Sequence, residues 1–456
     1  MSNMKKIQWG EFLFIVGLII FYFMWAYIQP FNVSPDEAMR FQVPKYIYNH
    51  WNLPVGDDPE VLSQPWGASM AFTPIGAYLF GGYLMKLVGI FHPTEYSLLM
   101  AARMASLIFG VGTAFFSIKI GKKLFRNPWM RWLFICMVTL LPQMAFISSY
   151  VNSDSMAIFA ASCIVYVWIL GVESGWSRKH CVYLGLALSV CLMSYYTAYG
   201  FLLCSFLLFV FSFLCYSPKE MTRKERWTLM IKRGLIVLGV VFLLTGWWFI
   251  RNAILYNGDI LGMKAYDACG EIHAVEELKP SKHWTYNRAG YSLYRMLFTD
   301  EWILCTWLTF VGAFGYVQYL LLVSMYRVWK FLLILGAGGA AIGAALSVWK
   351  HKRLDKKMHL YVWIFISILF PIGISMYYSY YTDFQPQGRY IMPMVVPLML
   401  LVVKGIERLV DFIPEKWIWI RRGIPAAMTA VVVLIALYSY LKIFRPIYAG
   451  PLLGIL

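Results

Sequence analysis

Apolar runs of a length suited to crossing a bilayer recur along the whole chain, separated by short polar segments. A spanning helix needs about 20 predominantly apolar residues. Residues 10–29, 101–120, 132–148, 155–171, 181–195, 198–215, 235–250, 360–378, 390–403 and 426–441 read as such runs, outward and inward in alternation. The apolar region that ends at Trp349 adds at least one more, and residues 315–349 can hold one long helix or two shorter ones. Residues 70–91 are apolar enough to span, but Pro74, Gly76, Gly81, Gly82 and Lys86 equally suit a juxtamembrane helix lying along the surface. The expected fold is all-α: a polytopic transmembrane bundle of about 11 helices forming a single domain over residues 1–456. No sequence repeat is evident, which counts against a transporter built from matching halves.

Composition strengthens this picture. The chain is 60% hydrophobic, 18% aromatic and only 14% charged, outside the range of soluble globular proteins. Its formal net charge of +17 could suggest a nucleic-acid partner. The basic residues instead cluster in short loops: Lys119, Lys122, Lys123, Arg126 and Arg131; Lys219, Arg223, Lys224, Arg226, Lys232 and Arg233; Lys350, Lys352, Arg353, Lys356 and Lys357; Arg421 and Arg422. That is the pattern of cytoplasmic loops, and it argues against nucleic acid. Lys5 and Lys6 place the start inside, and the first run lacks a small-residue cleavage site, so it reads as a retained helix. Returning inside at Lys122 requires an even number of crossings, which favours the surface reading of residues 70–91. Two extracytoplasmic loops result, residues 30–98 and 251–301. Six cysteines lie in or beside apolar runs; Cys269 and Cys305 fall in outer segments, where a disulfide and two free thiols are both open.

Chemistry has to come from the loops. Ser34-Pro35-Asp36-Glu37 follows the first helix, and each carboxylate would cost about 2.5–3.5 kcal/mol at mid-bilayer, so the pair belongs at the outer interface. Taken alone it is a helix start with Ser34 as cap and Pro35 in the first turn. Asn152-Ser153-Asp154 begins another helix on the same face, and Arg251-Asn252 and Arg389-Tyr390 mark helix ends there. A lone arginine at such a place is ordinarily a snorkelling anchor. Two arginines facing three carboxylates suit a transfer in which a carboxylate deprotonates an acceptor hydroxyl and guanidiniums hold a departing phosphate. His50 and the acidic stretch Asp57-Asp58-Pro59-Glu60 read as ordinary loop residues.

Together these motifs resemble the glycosyltransferase-C superfamily, which includes protein O-mannosyltransferases and an aminoarabinose transferase acting on lipid A. The carriers are Pro35-Asp36-Glu37 with Pro44, Tyr46, His50, Leu53 and Pro54, then Asn152-Ser153-Asp154, Arg251-Asn252 with Tyr256 and Gly258, and Gln387-Gly388-Arg389-Tyr390 with Pro393. The resemblance implies a multi-pass enzyme of a bacterial plasma membrane with an extracytoplasmic site. It would transfer a sugar, with inversion, from a polyprenyl-phosphate donor to a glycan, glycolipid or protein acceptor. It assigns Asp36 as general base with Glu37 and Asp154 as catalytic partners. Arg389, Arg251 and Tyr390 would bind the donor phosphate, and Asn152 and His50 would support the acceptor. Some members use a divalent metal such as Mg or Mn; Asp36, Glu37 and Asp154 are the candidate ligands, though their spacing is no recognisable metal signature. A transporter or flippase of lipid-linked sugars, or a polysaccharide polymerase, is the alternative.

Overall fold

The computed structural model describes residues 9–216, 221–350 and 356–452. Lys5, Lys6, Lys219, Lys352 and Arg353 lie outside the described residues.

The first apolar run forms α1, Trp9–Ile28. Two helices too short to span follow, α2 (Glu37–His50) and α3 (Gly76–Gly89). They pack closely because Gly82 lies against Ile47 with no room for a side chain between them, while Gly81 faces Pro44. Tyr83, Leu87 and Ile90 at the end of α3 stay exposed, and Lys86 lies 3.9 Å from the ring centre of Trp51, a combination suited to an interfacial helix. α4, Glu95–Leu124, then crosses.

The run at 132–148 is not one helix. It splits into α5 (Pro128–Thr139) and α6 (Pro142–Ile147), because Pro142 cannot continue the ladder of the preceding turn. The freed Thr139 carbonyl accepts the Tyr22 hydroxyl at 2.6 Å. The break is buried in protein, where irregular backbone at membrane depth is tolerated. α7 (Asp154–Ser174), α8 (Arg178–Leu192), α9 (Gly200–Tyr216) and α10 (Arg223–Leu255) follow.

The next loop begins after Leu255, because α10 continues past Arg251 by a full turn. It carries α11, Met263–His273. The following apolar region holds a short helix, α12 (Trp302–Val311), a two-residue hairpin pairing β1 (Ala313–Phe314) with β2 (Tyr319–Leu320), and one long helix, α13 (Val323–Lys350). α14 (Lys356–Tyr381), α15 (Val395–Asp411), α16 (Ile418–Tyr438) and α17 (Arg445–Leu452) complete the chain.

Among the described residues nine helices are long and apolar enough to cross a membrane. Contacts show that two shorter pieces cross as well. Lys122 with Glu11 at 2.5 Å and Lys123 with Glu173 at 2.7 Å join the start of α1 and the ends of α4 and α7 at one end of the bundle. Arg103 with Glu37, and Arg40 with Asp154, join the opposite ends of the same helices. The chain can return from the first end to the second only through α5–α6 and again through α8. With these, the bundle makes about 11 passages.

Candidate active site

Two buried ion pairs, Arg40–Asp154 and Arg103–Glu37, and a half-exposed carboxylate, Asp36, paired with Arg389 and Arg40, sit where α1 ends, α2 begins and α7 begins. Asp36 occupies the position before α2 in the left-handed backbone region, φ 63° and ψ 12°, and its side chain caps nothing. Asn32 Oδ1 accepts the Ala38 amide instead at 3.2 Å, so the expected capping by Ser34 does not occur. The Asp36 carboxylate is therefore free to face the site.

Arg389 Nη2 donates to Asp36 Oδ2 at 2.7 Å, and Arg40 Nη2 lies 3.6 Å from the same oxygen. Arg40 Nη1 donates to Asp154 Oδ2 at 2.8 Å. Arg40 thus bridges the two aspartates. Arg389 comes from the 3₁₀ segment Gly388–Met394, where Gly388 packs against the backbone of Thr309 and Phe310 without space for a side chain. The Asp36 side chain is 34% exposed, whereas those of Asp154 and Glu37 are 1% and 0%. Burial pushes the Asp36 carboxyl upward, but the guanidiniums of Arg389 and Arg40 outweigh it and hold the group below the ordinary carboxylate range.

Glu37 has a different task. Arg103 Nε and Nη2 donate to its two oxygens, each at 2.8 Å, and the amides of Val151 and Asn32 add bonds of 3.2 and 3.1 Å. Arg103 also donates to the carbonyls of Ala26, Gln29 and Pro30. This bidentate pair fastens the end of α1 to α4 and α7, and leaves Glu37 no face toward a substrate.

Several expected site residues stand elsewhere. Asn152 spends its side chain locally, donating to the Ile147 and Tyr150 carbonyls and accepting the Ser155 amide at 2.8 Å as a helix cap. His50 is exposed at the far end of α2, paired with Glu60 at 2.8 Å. Arg251 donates to the Pro54 carbonyl at 2.8 Å and lies over Trp248, tying the two loops together. Tyr390 does join the cluster, accepting from Arg389 Nη2 at 2.8 Å. Cys269 and Cys305 are both free thiols. Arg40 and Arg103, which organise the cluster, were not anticipated.

Of the three candidate metal ligands, Glu37 has both oxygens held by Arg103, and Asp36 and Asp154 each have one oxygen paired with arginine; among the described residues no group of three or more His, Cys, Asp or Glu is arranged to hold a metal ion. The cluster is instead incomplete toward an anion or hydroxyl. Arg389 Nε, Arg40 Nε, the Tyr150 hydroxyl and Asp154 Oδ1 are buried and make no hydrogen bond within the protein. Leaving such groups unpaired costs about 1–3 kcal/mol each, so the arrangement favours a polar occupant.

A cavity of about 600 Å³ opens between the α2–α3 and α10–α12 loops, lined in part by Phe72, Asp57, Tyr256, Asp259, Lys264 and His273. Tyr266 packs on Phe72 at the edge of this cavity, 6.1 Å between ring centres.

No protein-family model matches the chain, and no curated protein matches it in sequence. Solved structures match by fold. ArnT from Cupriavidus metallidurans, crystallised with undecaprenyl phosphate, gives a TM-score of 0.51 at 14% identity, over 94% of this chain and 64% of that one. The chain has the glycosyltransferase-C fold. The archaeal oligosaccharyltransferase AglB from Archaeoglobus fulgidus, in complex with an inhibitory peptide and a dolichol-phosphate, gives 0.51 at 11% identity, over 96% and 55%. The chain therefore spans less than two thirds of either protein's length, and the glycosyltransferase-C fold is what they share.

Proposed function

We propose that the protein is a membrane glycosyltransferase that moves a sugar from a polyprenyl-phosphate carrier to an acceptor at the extracytoplasmic face of a bacterial plasma membrane. The observation that carries this reading is Asp36, the one carboxylate of the three with an open face, held between Arg389 and Arg40 at the end of the bundle opposite Glu11 and Glu173. Undecaprenyl phosphate in ArnT and dolichol-phosphate in AglB, on the same fold, support the donor class.

In this mechanism Asp36 takes the proton of an acceptor hydroxyl, and the hydroxyl oxygen forms a bond to the anomeric carbon. The bond from that carbon to the phosphate oxygen breaks, and its electron pair leaves with the phosphate. Attack opposite the leaving group inverts the centre. Arg389 Nε, unpartnered and buried, supplies a donor for the developing phosphate charge. Arg40 keeps Asp154 and Asp36 in register.

A carboxylate with a depressed pKa is a weak base. Donor phosphate entering beside Arg389 shares the guanidinium's charge and relaxes its hold on Asp36. The order follows: donor first, base competent afterward. The glycan, glycolipid or protein acceptor approaches from the cavity between the loops.

Mass spectrometry of envelope glycans tests the reading in cells with and without the protein. Loss of one glycosyl substituent on deletion, restored by the parent but not by Asp36→Asn at equal membrane abundance, is the expected result. Full restoration by Asp36→Asn would remove Asp36 as base.

A further inference from the structure

A row of hydrogen bonds runs from Arg389 away from Asp36 and into the long outer loop. Arg389 Nη2 donates to the Tyr390 hydroxyl at 2.8 Å, and that hydroxyl donates to Gln385 Oε1. Gln385 Nε2 donates to Asp383 Oδ2 at 2.5 Å, and Asp383 Oδ1 stands 3.0 Å from His283 Nε2. His283 belongs to the loop between α10 and α12, about 100 positions earlier in the chain.

The direction of this row is set from its outer end. An ionised aspartate only accepts, so the amide nitrogen of Gln385 must face Asp383 and its oxygen must face Tyr390. Gln387 Nε2, 3.4 Å from the same Gln385 oxygen, fits that orientation. Tyr390 then has to spend its proton on Gln385, which turns a lone pair of its oxygen toward Arg389. Reversing Gln385 would turn the tyrosine proton against the guanidinium and cost Arg389 a partner.

The loop also grips this segment by packing. The Asn287 amide donates to the Tyr380 carbonyl at 3.2 Å, and the Tyr380 hydroxyl donates to the Tyr291 carbonyl at 2.8 Å. The rings of Tyr286 and Tyr380 stack at 6.4 Å between centres, and Phe384 closes on Tyr286 at 5.1 Å. Residues 283–291 therefore hold residues 380–384, immediately before the Gln385 to Tyr390 stretch.

We propose that Asp383 and Gln385, braced by His283, are positioning residues that fix the orientation of Tyr390 and Arg389 and so set the affinity for the donor's phosphate. The inference rests on the phosphate role of Arg389 proposed above. It makes the long loop part of the donor site without contact between loop and donor.

The test uses the full chain in lipid nanodiscs with undecaprenyl phosphate as probe, reading Kd and Tm for each variant. Arg389→Ala is the reference and should weaken binding by more than about tenfold, the effect of a lost charge-assisted hydrogen bond. Gln385→Leu and Asp383→Leu should weaken it about tenfold with Tm within a few degrees of the parent. Asp383→Asn, which keeps an oxygen for Gln385, should stay within about threefold.

If Arg389→Ala binds the probe as the parent does, the phosphate role fails and this inference with it. If Arg389→Ala loses binding while Gln385→Leu and Asp383→Leu keep it, the positioning role is overturned and the donor reading stands. Asp383→Asn binding no better than Asp383→Leu would also overturn it, as would an affinity loss that appears only alongside a collapse in Tm.

Discussion

Asp36 and Glu37 are neighbours in sequence with opposite fates, because the chain turns between them. The left-handed backbone at Asp36 swings its carboxylate toward Arg389 and the open side, while Glu37, first residue of α2, points inward to Arg103. Removing one partner of a buried pair leaves an uncompensated charge and costs about 3–5 kcal/mol. Glu37→Gln should therefore lower the Tm of the purified protein sharply. Pairing it with Arg103→Met should recover much of the loss, and a Glu37→Gln Tm equal to the parent's would show that the pair braces nothing. Asp36 should instead act through pH. Its carboxyl is held below the ordinary value of about 3.9, so its stabilisation is complete above that value and disappears as pH falls through the lower folded one. On this account kcat/KM should stay level from neutrality down to about pH 4 before an acid limb begins. A limb centred near pH 6 would mean that another group is the base. The acidic motif was legible because two carboxylates at a helix exit stand out against apolar flanks. Arg103 was not, since its acid lies 66 positions away, and Arg40 was legible only toward Asp36 four residues before it, because its closer partner Asp154 lies 114 positions away and is brought there by the fold.

Helix placement was largely legible, because hydropathy reports the one property a span must have. What it missed are places where neighbours override the run. α5 and α6 form one apolar stretch in sequence, yet Pro142 divides them and burial against α1 makes the break tolerable. α8 has only 15 residues, roughly 22 Å of helix, and still connects the two ends of the bundle. Helix contacts inside a bilayer depend on small residues that let backbones approach. A side chain at Gly405 of α15 would collide with the backbone of Gly336 and Ala340 in α13, whereas one at Gly423 of α16 would meet nothing. Gly405→Ala should thus force α13 and α15 apart and destabilise by about 1–3 kcal/mol, as overpacking does. Gly423→Ala should be neutral or stabilising by up to about 1 kcal/mol, since alanine is the better helix former. Thermal unfolding of the two variants in one detergent decides this, and equal Tm values would mean that the α13–α15 contact is looser than its geometry.

At the scale of the molecule, the two ends of the bundle differ in charge. Lys122, Lys123, Arg223, Lys224, Arg226, Lys356, Arg421 and Arg422 gather toward the end where Glu11 and Glu173 sit, and the Asp36 cluster occupies the other. Basic loops are retained on the cytoplasmic side, so the ion pairs should face outward, where a lipid tail can hold a donor in the bilayer while its phosphate reaches Arg389. Asn52 beside α2 and Lys224 at the start of α10 are both exposed and lie at opposite ends. With Cys215, Cys269 and Cys305 changed to serine, Asn52→Cys should react with a membrane-impermeant maleimide in intact cells, and Lys224→Cys only after permeabilisation. The reverse labelling would put Asp36 and Arg389 in the cytosol, and an extracytoplasmic acceptor could then never meet the base.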